Sequence, residues 1–477
     1  MLVPESTSAR SAAVEIEAGD PIGPLELWRQ SIGIGGVNAQ PLSPRVISGL
    51  RALKPRLIRV FIQEYFNVYP EHGRFDWSLL DPYMDSLAQT GAKVVASVCI
   101  KPRALYPAVD EKTWQPADVA EWQRLIERMA RRYSVDRDLV RYWEIGNETD
   151  IGERGGCPYL IPSPNEYKEF YDMTASAIRR VAGHVKVGGP AACWVTNEPL
   201  PGFVELCRAE GTQLDFVSWH LYSDDWERHR KGVETAQTLV AGWGGKPLEL
   251  MVTEWNRAFP AWAVEDEAYT SRGCALVTAA VIAMDSASLG WSFYYHVMDQ
   301  VCEPEVFAGF MSGPGVDNMY RHWNETPHRF GLFGEQGEAR PQYFLFKLLS
   351  GMGELRLRHH TEADGIHVLA GLGERGVSTM IVNLSREPTG AAPRVATLHL
   401  KGLSPGQRVL TLYRIDGERR WSDSALELWP VERRRVEVRE TFEFQVLLPE
   451  DSVVVAKLGA PDRGRAYVGD SVESQRR

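Results

Sequence analysis

Cysteine is scarce in this chain, with six in 477 residues and none at CxxC spacing. Cys99, Cys157, Cys193, Cys207, Cys274 and Cys302 lie scattered, which in a chain of this size argues for free thiols over a disulfide framework or zinc site. Long apolar runs are missing as well. The longest uncharged stretch, around Cys274 to Met284, is far short of the roughly 20 residues a bilayer span needs and reads as a buried helix. Positive charge is not in excess: Lys+Arg 53 against Asp+Glu 63 gives a net charge of −10, which disfavours nucleic acid and anionic membrane as partners. The first residues show neither a basic start nor an apolar stretch of signal-peptide length, so the expected location is the cytoplasm. HExxH, Walker and EF-hand patterns are absent, and the histidine pair His359 and His360 falls where a β-rich region begins. No metal and no cofactor are expected. The stretch Gly371 to Gly376 fits G-x-G-x-x-G, but a strand pattern follows it. With no helix N-terminus to hold a pyrophosphate, it reads as a hairpin turn.

What is present is an ordinary globular composition, 44% hydrophobic and 24% charged, long enough for two or three domains. From Ser31 to about Gly353, eight short apolar runs alternate with segments of helical period. They begin near Ser31, Arg56, Lys93, Arg141, Val185, Leu214, Leu248 and Gly290. Helical crossovers between apolar strands predict a parallel sheet, and eight such units close into an α/β, (β/α)8 TIM barrel whose active site gathers at the C-terminal strand ends. In one predicted crossover helix, Asp76 is placed to cap and Gly91 to terminate. The crossover from Asp299 to Arg340 is irregular, and a loop of that length reads as functional. After Gly353 short alternating runs separated by Gly, Pro, Asp and Ser predict a C-terminal antiparallel β-sandwich, to which Val14 and Ile16 would lend an N-terminal strand. The expected division is therefore 1–23 as that strand segment, 24–353 as the barrel, 354–460 as the sandwich and 461–477 as a polar disordered tail.

Two strand ends carry acids. The fourth run reads Tyr142-Trp143-Glu144-Ile145-Gly146-Asn147-Glu148, and the seventh reads Leu250-Met251-Val252-Thr253-Glu254-Trp255-Asn256. Strand alternation places Glu144 and Glu148 on one face and Asn147 on the other unless the chain bends at Gly146. Strands four and seven face each other across a barrel mouth, so Glu148 and Glu254 converge. Paired carboxylates suit glycoside hydrolysis, where one is held protonated for the leaving oxygen and the other stays ionised to meet the oxocarbenium-like carbon.

The stretches ending in Glu148 and containing Glu254 resemble the acid/base and nucleophile motifs of the clan A glycoside hydrolases. Together with Ser218-Trp219-His220-Leu221-Tyr222-Ser223 on strand six and the trailing sandwich, the chain is similar to glycoside hydrolase family 39, which includes β-xylosidases and α-L-iduronidases. The resemblance implies Glu148 as general acid/base and Glu254 as nucleophile of a retaining double displacement. Asn147 would then donate to the sugar 2-hydroxyl. His220 and Tyr222 share a face, so an inward Tyr222 would hydrogen-bond Glu254. Arg59 on strand two, if inward, would help keep Glu254 charged. Glu64 at the end of strand two is a further candidate for substrate binding. On strand eight, Trp291 resembles a Trp common in the clan, and it and Tyr294 are expected to form a floor for the sugar ring. One departure stands out: Thr149 follows the acid/base where family members usually carry Pro, which resembles the family 51 arabinofuranosidases.

The expected activity is a retaining exo-glycosidase on short oligosaccharides or glycosides, foremost a β-xylosidase, with a small carbohydrate as the partner. The alternatives are an α-L-arabinofuranosidase, an α-L-iduronidase, and a non-catalytic carbohydrate-binding protein, which would be expected to have lost one carboxylate. The oligomeric state is not legible.

Overall fold

Eight parallel strands close into a barrel in chain order: Gln30–Gly33, Leu57–Ile62, Lys93–Val98, Val140–Ile145, Lys186–Ala192, Phe216–Tyr222, Glu249–Asn256 and Trp291–Tyr295. The computed structural model describes residues 10–259, 271–325, 330–386 and 391–460; the tail expected to be disordered lies outside them. The chain divides into two units, one formed by Glu26–Ser350 with Trp421–Glu427 and the other by the remaining segments.

Capping residues begin the crossover helices where the sequence supplies them. Ser43, Asp118, Ser163 and Asp225 each accept a backbone N–H of the first turn of Pro44–Leu53, Val119–Ala130, Pro164–Val181 and Trp226–Val240, satisfying donors that helix ends leave unpaired. Asp76 does not cap. Its side chain accepts the Ser78 N–H at 2.9 Å and the helix starts later, at Leu80–Ala88, because a local Asx turn competes with capping for the same oxygen.

Odd positions of the strands fill the barrel from the bottom. Leu57, Val95, Tyr142, Phe216, Met251, Trp291 and Phe293 form one buried cluster near the strand starts, and the period of two then carries inward positions up to the C-terminal rim. The crossover after strand eight is more ordered than its composition suggests. It holds the helices Pro304–Phe307 and Gly313–Tyr320. At its base Gly331 N–H donates to Asp299 at 2.8 Å and Arg340 pairs with Asp299. The six cysteines carry free thiols. Among the described residues no helix is long and apolar enough to cross a membrane.

The second unit is a nine-stranded, mostly antiparallel sheet surrounding its own core. Its N-terminal strand, Arg10–Pro24, pairs parallel with Arg394–Lys401 and antiparallel with Leu355–His360. Ala12, Val14, Ile16 and Ala18 point into that core while Ser11, Ala13 and Glu15 face outward. Burying Val14 and Ile16 contributes roughly 1.5–3 kcal/mol each.

Candidate active site

Strand four delivers three polar side chains to one cavity because the chain turns sharply at its end. Gly146 sits at φ 87° and Glu148 at φ 45°, so Asn147 and Glu148 both face the barrel axis above Glu144. A side chain at φ 45° is strained. The Glu148 backbone is held by its N–H to Ala191 O at 2.9 Å, a carbonyl turned out of the ladder where strand five shifts register between Pro190 and Ala192.

Strand seven needs a change of phase to do the same. Met251 faces the axis in the bottom cluster, and strict alternation from there would send Glu254 outward. The pairing slips instead: Trp219 is opposite Val252 but His220 is opposite Glu254. The extra residue, Thr253, makes a bulge that re-aims the strand end. Glu254 thereby enters the cavity, and Trp255 packs outside against His229 and Tyr294, each at 5.6 Å between rings.

Arg59 on strand two organises the floor. It is 1% exposed, with Nε 2.7 Å from Glu144 Oε2, Nη1 2.8 Å from Glu254 Oε1 and Nη2 2.7 Å from Asn147 Oδ1. A guanidinium only donates, so Asn147 must present its oxygen to Arg59 and its amide N–H groups elsewhere. Burial opposes the Arg59 charge, yet Glu144 and Glu254 outweigh it and raise its pKa. On strand six the Tyr222 hydroxyl donates to Glu254 Oε2 at 2.7 Å, and His220 Nδ1 lies 2.8 Å from Glu148 Oε1 and 3.8 Å from Glu254 Oε2.

The two acids sit in unequal environments. Burial lifts Glu148 well above the usual carboxyl range, and the charges of Glu254 and Asp150 add to it. Burial lifts Glu254 too, but the Arg59 charge and the hydrogen bonds from Tyr222 and Arg59 pull it back. These opposite pressures are what separate a proton donor from an ionised partner. His220 is pushed well below its ordinary value by burial and by Arg59, so its ring is neutral.

Glu148, His220 and Glu254 offer ligand atoms within 4.8 Å of one another, a spacing that can hold a metal ion. The Glu254 oxygens are already engaged by Arg59 and Tyr222. A cation there would also stand beside the buried guanidinium, so the residues fit the pair's own hydrogen bonds better than a metal.

Glu148, Glu254, Asn147, Arg59, His220 and Tyr222 thus meet in one cavity. Glu64 lies in a turn beyond strand two and accepts the Lys101 N–H at 3.0 Å; burial pushes it up to about 8. It has no described contact with either acid. Trp291 and Tyr294 are corrections. Trp291 begins strand eight and belongs to the bottom cluster, 5.1 Å from the Trp28 ring, at the end of the barrel away from the acids. Tyr294 has the opposite alternation, points into the helical layer against Phe346, and donates to Phe330 O at 2.8 Å. The strand-eight aromatic near the acids is Tyr295, whose hydroxyl pKa is raised well above the ordinary value by burial and then by Glu254. It shares the inward face with Trp291 and ends the strand, so counting alternation to the C-terminal end identifies it. Glu144, as the second carboxylate on Arg59, was also missed as a functional residue. Half-buried Cys193 lies near the acids. Burial raises its thiol pKa, followed by Glu148, Asp150 and Glu254.

A family model described as Glycosyl hydrolases family 39 matches residues 53–398. The chain is 24% identical over 336 residues to a β-xylosidase of Caldicellulosiruptor saccharolyticus, covering 65% of this chain and 64% of that protein. It is 25% identical over 297 residues to a β-xylosidase of Geobacillus stearothermophilus, covering 55% and 57% respectively. The chain therefore spans less than two thirds of the length of these curated relatives. Among solved structures, a monomeric β-xylosidase from Caulobacter crescentus CB15 superposes with TM-score 0.72 at 19% identity, covering 95% of this chain and all of that one (100%). At that identity the likeness shows the fold.

Proposed function

The chain belongs to glycosyl hydrolases family 39, and we propose that it is a retaining exo-glycosidase, a β-xylosidase, in which Glu148 is the acid/base and Glu254 the nucleophile. The observation that carries this reading is the pair itself: two carboxyls on facing strand ends, with an oxygen of each within 4.8 Å and with opposite electrostatic support. Retaining enzymes hold their carboxyls about 5–5.5 Å apart, whereas inverting ones leave about 6.5–9.5 Å for a water.

In the first step Glu254 bonds to the anomeric carbon as the glycosidic C–O bond breaks, and the leaving oxygen takes the Glu148 proton. In the second, Glu148 removes a proton from water, which displaces Glu254 and restores the carboxylic acid. Arg59 and Tyr222 hold Glu254 ionised before attack. Donation from His220 Nδ1–H to Glu148 Oε1 leaves Oε2 to carry the transferable proton. Asn147, its oxygen fixed by Arg59 and one N–H directed at Gly155 O, offers its other N–H to a sugar 2-hydroxyl.

The names of the curated relatives support xylose as the sugar. An α-L-iduronidase needs a cation for the substrate carboxylate, and three of the cations at or beyond the strand ends already serve protein acceptors. Arg59 serves three acceptors, Lys101 donates to Asp110 O and Pro158 O at 2.8 Å each, and Arg257 reaches Asp224 at 3.2 Å. The test is a panel of aryl β-xyloside, β-glucoside, β-galactoside, α-L-arabinofuranoside and α-L-iduronide, with the first-formed anomer read by proton NMR. Preference for the β-xyloside with a β-configured first product is expected. An inverted first product would end the retaining assignment, and no turnover on any member would favour a carbohydrate-binding role.

A further inference from the structure

We infer that Glu153 is a positioning residue for Glu148: clamped to Ser312, it holds the Gly155 backbone against the Glu148 carboxyl and sets how dry that proton donor is. The inference rests on Glu148 being the acid/base.

The turn Gly152–Gly155 grows directly from Glu148, whose carbonyl accepts the N–H groups of Ile151 and Gly152 at 3.0 and 2.9 Å. Gly155 leaves no room between the turn and the acid. A Cβ there would stand 2.1 Å from Glu148 Oε2 and 2.8 Å from Glu148 Cβ. Its neighbours anchor it on the site side, with Asn147 Nδ2 3.4 Å from Gly155 O and Gln63 Nε2 2.9 Å from Gly156 O. Backbone thus takes the place of water at the oxygen proposed to carry the proton.

The other anchor comes from the crossover after strand eight. Buried Glu153 accepts the Ser312 N–H at 2.7 Å with Oε1 and the Ser312 hydroxyl with Oε2. Ser312 is the N-cap of Gly313–Tyr320, so a carboxylate from one crossover meets the positive end of a helix from another. Asn318 Nδ2 adds bonds to Glu153 O and Arg154 O at 3.2 and 3.0 Å. A Cβ on Gly315 would lie 2.5 Å from Glu153 Oε2, so the helix start also packs tightly on the clamp. None of Glu153's described hydrogen bonds goes to Glu148 or Glu254. Its influence on the acid passes through Gly155.

Releasing the clamp lets Gly155 withdraw and water reach Oε2, which removes part of the burial that holds the carboxyl protonated. Glu153→Ala, Ser312→Ala and the double variant of the full chain are compared with wild type. One readout is the pH profile of kcat/KM on aryl glycosides with good and poor leaving groups. The other is the Glu148 ionisation itself, followed by infrared difference spectra assigned with Glu148→Gln. In Glu153→Ala the basic limb and the infrared titration are both expected about one pH unit lower, with the greater loss on the poor leaving group. Ser312→Ala shifts in the same direction, and the double variant shifts no further than Glu153→Ala. Should Glu153→Ala not fold, Ser312→Ala and Asn318→Ala decide the question. Folded variants with an unmoved basic limb and an unmoved infrared titration overturn the inference. If wild type hydrolyses no glycoside, the glycosidase reading fails by itself and the infrared titration still judges the clamp.

Discussion

Arg59 stands 2.8 Å from Glu254 at the floor of the cavity and holds Glu144 at 2.7 Å with the same guanidinium. Three buried charges share one fork, so removing the cation leaves two buried carboxylates uncompensated. Arg59→Ala is expected to destabilise the protein by about 3–5 kcal/mol, read by urea denaturation. The charge on Glu254 also loses its main support. With its pKa raised, Glu254 is less ionised at a given acidic pH, so the acidic limb of kcat/KM moves to higher pH. An acidic limb that stays in place in folded Arg59→Ala would contradict this.

Tyr222→Phe removes one donor from Glu254 Oε2. A hydrogen bond to a charged group contributes about 1.5–3 kcal/mol, so kcat/KM should fall by roughly 10- to 100-fold. The acidic limb should again move up in pH, and thermal stability should change little. A variant with full activity would remove Tyr222 from the machinery.

Leaving-group chemistry separates the two acids. Glu148→Ala is expected to keep turnover of dinitrophenyl glycosides while nearly losing natural disaccharides, because an activated aryl oxide departs without a proton. Azide should accelerate this variant and yield the glycosyl azide of retained configuration. Glu254→Ala should be inactive on both substrates, with azide giving the opposite anomer. The reverse pattern exchanges the roles.

The coupling between the acids has its own signature. Because the charge of Glu254 contributes to the raised Glu148 pKa, Glu254→Gln should lower the basic limb of any residual turnover, activity being lost as pH rises through the Glu148 pKa. The two limbs of the wild-type bell belong to the pair.

Trp291 and Tyr295 share a face of strand eight and differ in depth. Trp291→Ala is expected to cost about 3–5 kcal/mol of stability by opening a core cavity, with KM unchanged. Tyr295→Ala should instead raise KM with a smaller loss of stability. Substrate kinetics beside thermal melts distinguish them, and a raised KM in Trp291→Ala alone would return the tryptophan to the site.

Periodicity made the barrel legible, since all eight strands and the facing positions of Glu148 and Glu254 follow from the count of alternating segments. The same period made Arg59, His220 and Tyr222 readable, because strands two and six run without interruption from the bottom layer to the rim. It misleads where the chain breaks it. The Thr253 bulge, which decides that Glu254 rather than Trp255 faces inward, has no signature in residue type. Trp291 and Tyr294 have the chemistry of a sugar platform, but depth and phase along the strand place both elsewhere. The short helices after strand eight are hidden because each opens on Gly or Pro and is too short to show a helical period, while Ser312, with a glycine backbone N–H to cap, is an ordinary start signal. Gly155 is a contact with no side chain and leaves no trace in any pattern of polarity.

The aromatic layer formed by Tyr142, Phe216, Trp291 and Phe293 at the strand starts gives the cavity a blind end. A chamber closed at the strand starts takes in and gives up its guest at the C-terminal ends of the strands. Under the proposed mechanism the sugar released from Glu254 is expected to leave from the same end by which the glycoside enters, so that the two exclude each other. In the proposed glycosidase, inhibition by the liberated monosaccharide is therefore expected to be competitive with substrate, which product-inhibition kinetics read directly.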